Sequence, residues 1–217
     1  MNIETIPVKI AGNPFFMANC YLVSSSPESK KVVVIDPGDQ AELILNRLGD
    51  REVDAILLTH GHYDHIGAAH AVAGSTGAQV YAHEGDLPLI VDFAKTLKDK
   101  YPHFAKRVAQ GETPELDNYL TEGETLERAN LTFDVLHTPG HSLGSVCFYN
   151  AQESILFSGD TLFKYTCGRT DLLGGDPQSM HDSLARLSTL PPETMVYPGH
   201  EDTTTIGEEI HRGLCEY

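Results

Sequence analysis

The sequence predicts an α/β fold, built as one domain around two sheets. Three observations carry that prediction. Short apolar, β-branched runs alternate with segments of helical period. The 217 residues suit one large domain with a substantial core. No repeat, low-complexity linker or shift in composition divides the chain.

The elements follow in order. "KVVVIDPG" is a continuous apolar run stopped by Pro-Gly, the mark of a buried strand. "AELILNRLGD" carries apolar residues at helical spacing and a glycine stop. "VDAILLTH" repeats the strand pattern, "IGAAHAVAGSTG" reads as a helix ending at Gly74, and "AQVYAH" as another strand. The stretch from about 86 to 118 is helical in pattern, more charged and interrupted by Pro88 and Pro102, so it is expected to be a helical insertion. Strands are expected at "LTFDVLHT", "SVCFYN" and "SILFSGD", then a helix at "PQSMHDSLARLSTL", a strand at "TMVYPG" and a last helix near "TIGEEIHRGL".

Charge and composition narrow the function. Thirty-one acidic against 15 basic side chains give a formal charge of −16, which disfavours nucleic acid and anionic membranes as partners. No apolar run approaches the ~20 residues of a membrane span. The opening lacks a basic segment followed by an apolar one, so a cytoplasmic location is expected. The four cysteines (Cys20, Cys147, Cys167, Cys215) form no close pair, which argues against a disulfide framework or a thiolate zinc site. Metal chemistry would therefore rest on histidine and carboxylate.

Those residue types concentrate in "LLTHGHYDHIGAAH", where His60, His62, Asp64 and His65 fall within six positions. Singly each has an ordinary explanation: Asp64 could cap the helix that begins near Ile66. Together they do not, because crowded imidazoles suppress one another's protonation, whereas a bound cation accepts neutral imidazole and carboxylate. Four ligands so close suit two ions better than one tetrahedral ion. Further ligands are offered at strand ends by His141 in "TPGH", Asp160 in "SGD" and His200 in "YPGH", and a carboxylate such as Asp160 can bridge two cations.

"THGHYDH", "TPGH", "SGD" and "YPGH", in this order, resemble the metallo-β-lactamase fold superfamily, over most of the chain from "VVVIDPG" to "TTIGEE". The resemblance implies a four-layer αββα sandwich with metals at one sheet edge. It implies one metal on His60, His62 and His141, a second on Asp64, His65 and His200, and Asp160 bridging both. Two divalent ions are expected, zinc first, with iron or manganese as alternatives. Asp36 in "VIDPG" matches a family position that orients a metal-binding histidine; its other reading is a turn-forming Asp. His83 and His137, near strand ends, are further candidates for such support.

Within the superfamily, "GDTLF" with "CGRTDLLGGD" and "PGHEDTTTIGEE" most resemble short bacterial glyoxalase II-like enzymes (hydroxyacylglutathione hydrolases). That implies cleavage of a small anionic thioester by a metal-bridging hydroxide, with Asp64 steering the nucleophile. Arg169 stands where the family places a basic contact to the glutathione carboxylate, and it is read equally as an ion-pair residue shaping its loop. Lys164 and Tyr165 flank the same loop as further substrate contacts. The main alternative is a persulfide dioxygenase, which shares the fold and a similar "CGRTD" stretch and uses one iron on the equivalents of His60, His141 and Asp160. A lactonase or other ester hydrolase, and a binding module on the same fold, complete the alternatives.

Overall fold

The strand Lys31–Ile35 decides the architecture, because it is buried on both faces. Val32 and Val34 join one apolar cluster, and Val33 and Ile35 join another. Side chains alternate along a strand, so this one must have packed layers above and below it. The structure is a computed structural model that describes residues 1–10, 13–91 and 113–214.

Two six-stranded sheets supply the inner layers. The first runs in order β1 (Asn2–Lys9), β2 (Met17–Ser24), β3 (Lys31–Ile35), β4 (Glu52–Leu57), β5 (Val80–His83) and β6 (Asn118–Leu120). The second contains β7 (Thr125–Arg128), β8 (Leu131–His137), β9 (Val146–Asn150), β10 (Ile155–Gly159), β13 (Met195–Pro198) and β14 (Thr204–Thr205), and β11 (Leu162–Phe163) pairs with β12 (Thr166–Cys167) as a small ribbon. β3, β4, β5 and β6 are parallel neighbours, as are β10 and β13, and the remaining pairs are antiparallel.

Between the sheets lie Tyr21, Val33, Ile35 and Leu57 from one side and Phe133, Phe148 and Phe157 from the other. Full burial of each aromatic contributes about 1.5–3 kcal/mol. Helices α1 (Ala41–Leu48), α2 (Tyr63–Ile66) and α3 (Ala69–Thr76) cover the outer face of the first sheet through Ile44, Leu48, Ile66, Ala69 and Val72. Met180, Leu184 and Leu187 of α5 (Pro177–Leu187) and Ile206 of α6 (Ile206–His211) cover the second sheet. The α5 start has a physical cause: Asp176 accepts the Ser179 N–H at 2.7 Å, and Pro177 occupies the first helical position. The layers are therefore helix, sheet, sheet, helix, as the family resemblance implies.

Three expectations need adjustment. The third helix continues past Gly74 and stops at Gly77, whose φ of 73° suits a left-handed cap that favours glycine. Asp64 lies inside the first turn of α2 and does not cap it; His62 occupies the capping position. β1 and β2 were not anticipated, although Thr5–Lys9 alternates exposed and buried residues in the period of a strand. Of the insertion expected at about 86–118, the structure describes a short helix α4 (Leu87–Val91) and, at its far end, the start of β6 at Asn118; residues 92–112 lie outside the described residues. No described helix is long and apolar enough to cross a membrane.

Candidate metal centre

The functional residues leave the fold where strands end. β3 delivers Asp36, β4 leads through Thr59 into His60, β8 leads through Thr138 to His141, β10 gives way to Asp160, and β13 to His200. Backbone bonds join these ends, two of them between the sheets and one within the second: Val146 N–H donates to Thr59 O at 2.8 Å and Asn19 N–H to Gly199 O at 2.7 Å, while Gly199 N–H donates to Gly159 O at 2.8 Å.

The structure brings together all seven residues singled out as ligands. His60, His62 and His141 form one group and Asp64, His65 and His200 another, each with its donor atoms within 4.8 Å of one another. Asp160 stands between them: Oδ1 lies 3.3 Å from His65 Nε2, and Oδ2 lies 3.4 Å from His200 Nε2 and 3.5 Å from His141 Nε2.

Hydrogen-bond logic fixes which nitrogen each imidazole presents. A carbonyl or carboxylate oxygen only accepts, so the ring nitrogen facing it must carry the proton. His141 Nδ1 donates to Arg169 O at 2.8 Å, His200 Nδ1 to Met17 O at 2.6 Å, and His65 Nδ1 to Asp36 at 2.9 Å. Thr59 Oγ1 gives its single proton to Asp36 at 2.6 Å, so at 3.1 Å it must accept from His60 Nδ1. Four Nε2 atoms are thereby turned inward. His62 differs: its Nδ1 is the inward atom, 2.8 Å from His141 Nε2. His60 Nε2 and Asp160 Oδ1 are buried and have no hydrogen-bond partner. Buried polar atoms without partners are costly, and a divalent cation is the species that satisfies imidazole lone pairs and carboxylates together. The donor set fits a metal centre.

The charges sort along the same division. Burial drives His60 far below its ordinary range, and the charge on His65 adds to this. Burial, with His141 next, holds His62 at about 4. Burial also opposes charge on His65 and His200, but the carboxylates Asp160 and Asp64 outweigh it, raising His65 and lifting His200 to about 10. Burial would raise Asp160, yet His65 and His200 pull it well below the usual carboxylate range.

Asp36 Oδ2 meets both His65 Nδ1, at 2.9 Å, and Thr59 Oγ1, at 2.6 Å. Its carboxylate also accepts Thr59 N–H at 2.7 Å, so one buried anion fixes the backbone ahead of His60 and the ring of His65. Gly199 is required by close approach. A Cβ there would lie 2.3 Å from Asp160 Oδ1 and 2.6 Å from His65 Cε1. Gly199→Ala is therefore expected to displace Asp160 and to weaken cation binding by about 10–100-fold, the range seen when a ligand's support is lost. A cation-binding isotherm matching the unaltered protein would contradict that expectation.

The other sequence candidates are less central. Arg169 is exposed, and its guanidinium makes paired bonds to Asp171 at 2.6 and 2.7 Å, while its backbone carbonyl holds His141. Lys164 sits 3.8 Å from Asp202. Tyr165 has a left-handed backbone, with φ 74°, held by the buried Glu209, which accepts its N–H at 2.9 Å. Its exposed ring lies against Arg212 and Lys164. His83 and His137 stack on each other with centroids 4.2 Å apart; His83 Nδ1 accepts Gly85 N–H and His137 Nε2 bonds Leu143 O.

Two supports went unnoticed in the sequence. Asn19 donates to Pro198 O at 3.1 Å and Glu201 O at 2.9 Å, bracketing His200. Asp86 is fully buried and accepts from Gly61 N–H, Ser142 Oγ–H and Gly144 N–H. The signal for Asp86 was present, since "YAHEGD" is another strand giving way to polar residues, like the four motifs that were noticed.

Known proteins share this arrangement of chain. The family model of the metallo-beta-lactamase superfamily matches residues 13–200. A hydroxyacylglutathione hydrolase, GloC, from Haemophilus influenzae is 34% identical over 219 aligned positions, covering 96% of this chain and 95% of that protein. Among solved structures, the B3 metallo-beta-lactamase BLEG-1 superposes with a TM-score of 0.81 at 35% identity, covering 100% of both chains. TTHA1623, in a di-iron-bound form, superposes with a TM-score of 0.78 at 39% identity, covering 95% of this chain and 98% of that one. With a strand order, a layer arrangement and a His/Asp cluster that all agree, the chain belongs to the metallo-beta-lactamase superfamily.

Proposed function

We propose that the protein is a binuclear metallohydrolase that cleaves a thioester of the S-2-hydroxyacylglutathione type. The observation that supports this most is the set of four inward-turned imidazole Nε2 atoms, each fixed by an acceptor on the other side of its ring, converging with His62 and two carboxylates. His60, His62 and His141 would hold one cation, Asp64, His65 and His200 the second, and Asp160 would touch both. Zinc is the first candidate, with iron and manganese as alternatives; the di-iron form of TTHA1623 keeps iron in view. Bound cations of this kind supply Lewis acidity, lowering the pKa of water to about 7 and polarising a carbonyl.

The protein's own groups do the rest. Asp64, whose side chain keeps 17% of its exposure, accepts a hydrogen bond from the attacking water and aims it at the acyl carbon. The departing thiolate, with a pKa of about 8.5, needs no strong general acid. Arg169 offers the remote carboxylate of the substrate a docking point. Its present partner Asp171 is exposed, and such a pair contributes about 0–1 kcal/mol, so a substrate carboxylate competes with it on equal terms. The thioester itself is favoured by the likeness to GloC along nearly the whole of both chains.

The test is hydrolysis by protein of known metal content. S-Lactoylglutathione should be cleaved with a kcat of about 1–10³ s⁻¹. The same preparation is offered glutathione persulfide with oxygen monitored, a lactone and a β-lactam. Oxygen uptake without thioester cleavage would replace this reading with a single-iron persulfide dioxygenase. Selective cleavage of the lactone or the β-lactam would keep the hydrolase and change its substrate.

A further inference from the structure

We infer that Asp86 is a positioning residue for the three-histidine half of the centre, as Asp36 is for His65 and, through Thr59, for His60. The inference rests on the two-cation part of the reading above and not on the thioester.

Asp86 closes the short 3-10 turn Glu84–Asp86 beyond β5 and has no exposed surface. Its two oxygens serve two loops that are distant in sequence. Oδ2 accepts Gly61 N–H at 2.7 Å and Ser142 Oγ–H at 2.7 Å, and Oδ1 accepts Gly144 N–H at 2.6 Å. Gly61 is the residue between His60 and His62, so this bond sets the peptide plane from which both rings depart. Ser142 follows His141 directly, and Gly144 stands two residues further on. One buried anion thus ties together the two loops that carry His60, His62 and His141.

The packing leaves these loops no other spacing. A Cβ on Gly144 would lie 2.5 Å from Asp86 N, and one on Gly85 would lie 3.0 Å from Gly144 N and Leu143 O. Ser142 is locked as well, since its Oγ lies 2.7 Å from Ser145 Oγ while it donates to Asp86. His62 and His141 need this external control. His62 is the one histidine of the cluster whose inward atom is Nδ1, and its Nδ1 faces His141 Nε2 at 2.8 Å. His141 Nδ1 gives its proton to Arg169 O, so His141 Nε2 accepts from His62 Nδ1, and that contact depends on how the two loops behind it are spaced. The other half takes its hold elsewhere, from Asp36 on His65 and from Met17 O and Asn19 around His200. The division predicts a selective effect.

The experiment measures stepwise cobalt(II) binding to the full chain, followed by the visible spectrum of the bound ion and by metal content. His62→Ala identifies the binding step that belongs to the three-histidine half. Asp86→Asn, in which an amide must face an N–H donor, should weaken that same step by about 10–100-fold and alter its spectrum, leaving the other step in place. Ser142→Ala, a milder change that removes one of the three bonds, should weaken the same step to a smaller degree in a normally folded protein. A general structural role would move both steps together, and either that result or two unchanged steps in both variants would overturn the inference. If the unaltered protein takes up no pair of cations, the two-metal reading itself fails, which is a separate outcome seen before any variant is made.

Discussion

Asp160→Ala should reduce kcat/KM of the metal-loaded protein by more than about 100-fold and lower its content from two cations to one or none. The threshold comes from outer supporting residues, whose loss costs about 10–100-fold; a residue that meets both cations must cost more. Asp160 is the carboxylate that lies between the two donor groups, within 3.5 Å of His65, His141 and His200. Without it, His65 and His200 keep Asp64 as a neighbouring anion, but the carboxylate that reaches His65, His141 and His200 together is lost. Elemental analysis and steady-state kinetics on one preparation decide the point. Two retained cations with activity within tenfold of the unaltered protein would show that Asp160 is not shared between them.

Asp36→Ala should be the most destabilising single change around the site. It deprives three buried donors at once: Thr59 N–H, Thr59 Oγ–H and His65 Nδ1–H. Bonds to a charged group contribute about 1.5–3 kcal/mol each, and an orphaned buried donor costs about 1–3 kcal/mol. The terms share one residue and do not add, so about 3–5 kcal/mol is expected overall. For a chain of this size that corresponds to a fall in melting temperature of roughly 6–20 °C. Asp36→Asn should be milder, because Asn tolerates the left-handed backbone (φ 50°) and keeps one acceptor oxygen. Thermal unfolding of both variants without metal separates this from any loss of cations. A shift under about 2 °C for the alanine variant would mean that the Thr59 and His65 bonds contribute little.

The two changes act on different links of the same chain of cause. Asp36 orders the loop before any cation arrives, and Asp160 meets the cations themselves. Variants that fold normally and bind poorly therefore belong with Asp160, and variants that melt early belong with Asp36.

What the sequence made legible was the part of the fold with strong local signals. "KVVVID" and "VDAILLTH" are continuous β-branched runs, and they became the central strands β3 and β4. The seven clustered residues were legible because each stands in a short motif at a strand end, and the family resemblance supplied their pairing. β2, "MANCYLVS", was harder to see because polar Asn19 and Cys20 interrupt its apolar pattern, yet both are buried, and Asn19 serves the backbone around His200. The helix that outran Gly74 shows the same limit: a glycine is tolerated inside a helix, and the positive φ that ends this one sits three residues later at Gly77. Asp86 escaped notice because its partners are 25, 56 and 58 positions away: the strand end at "YAHEGD" marks the place, but nothing local names the groups it bonds. Arg169 was legible as a basic residue in its loop, but its pairing with Asp171 depends on how the loop turns.

Crystals of the protein grown with zinc, with diffraction recorded on both sides of the metal absorption edge, test the central claim most directly. Two anomalous peaks are predicted, one among His60 Nε2, His62 Nδ1 and His141 Nε2, the other among Asp64, His65 Nε2 and His200 Nε2, with Asp160 in contact with both. A single peak, or two peaks away from these atoms, would contradict it.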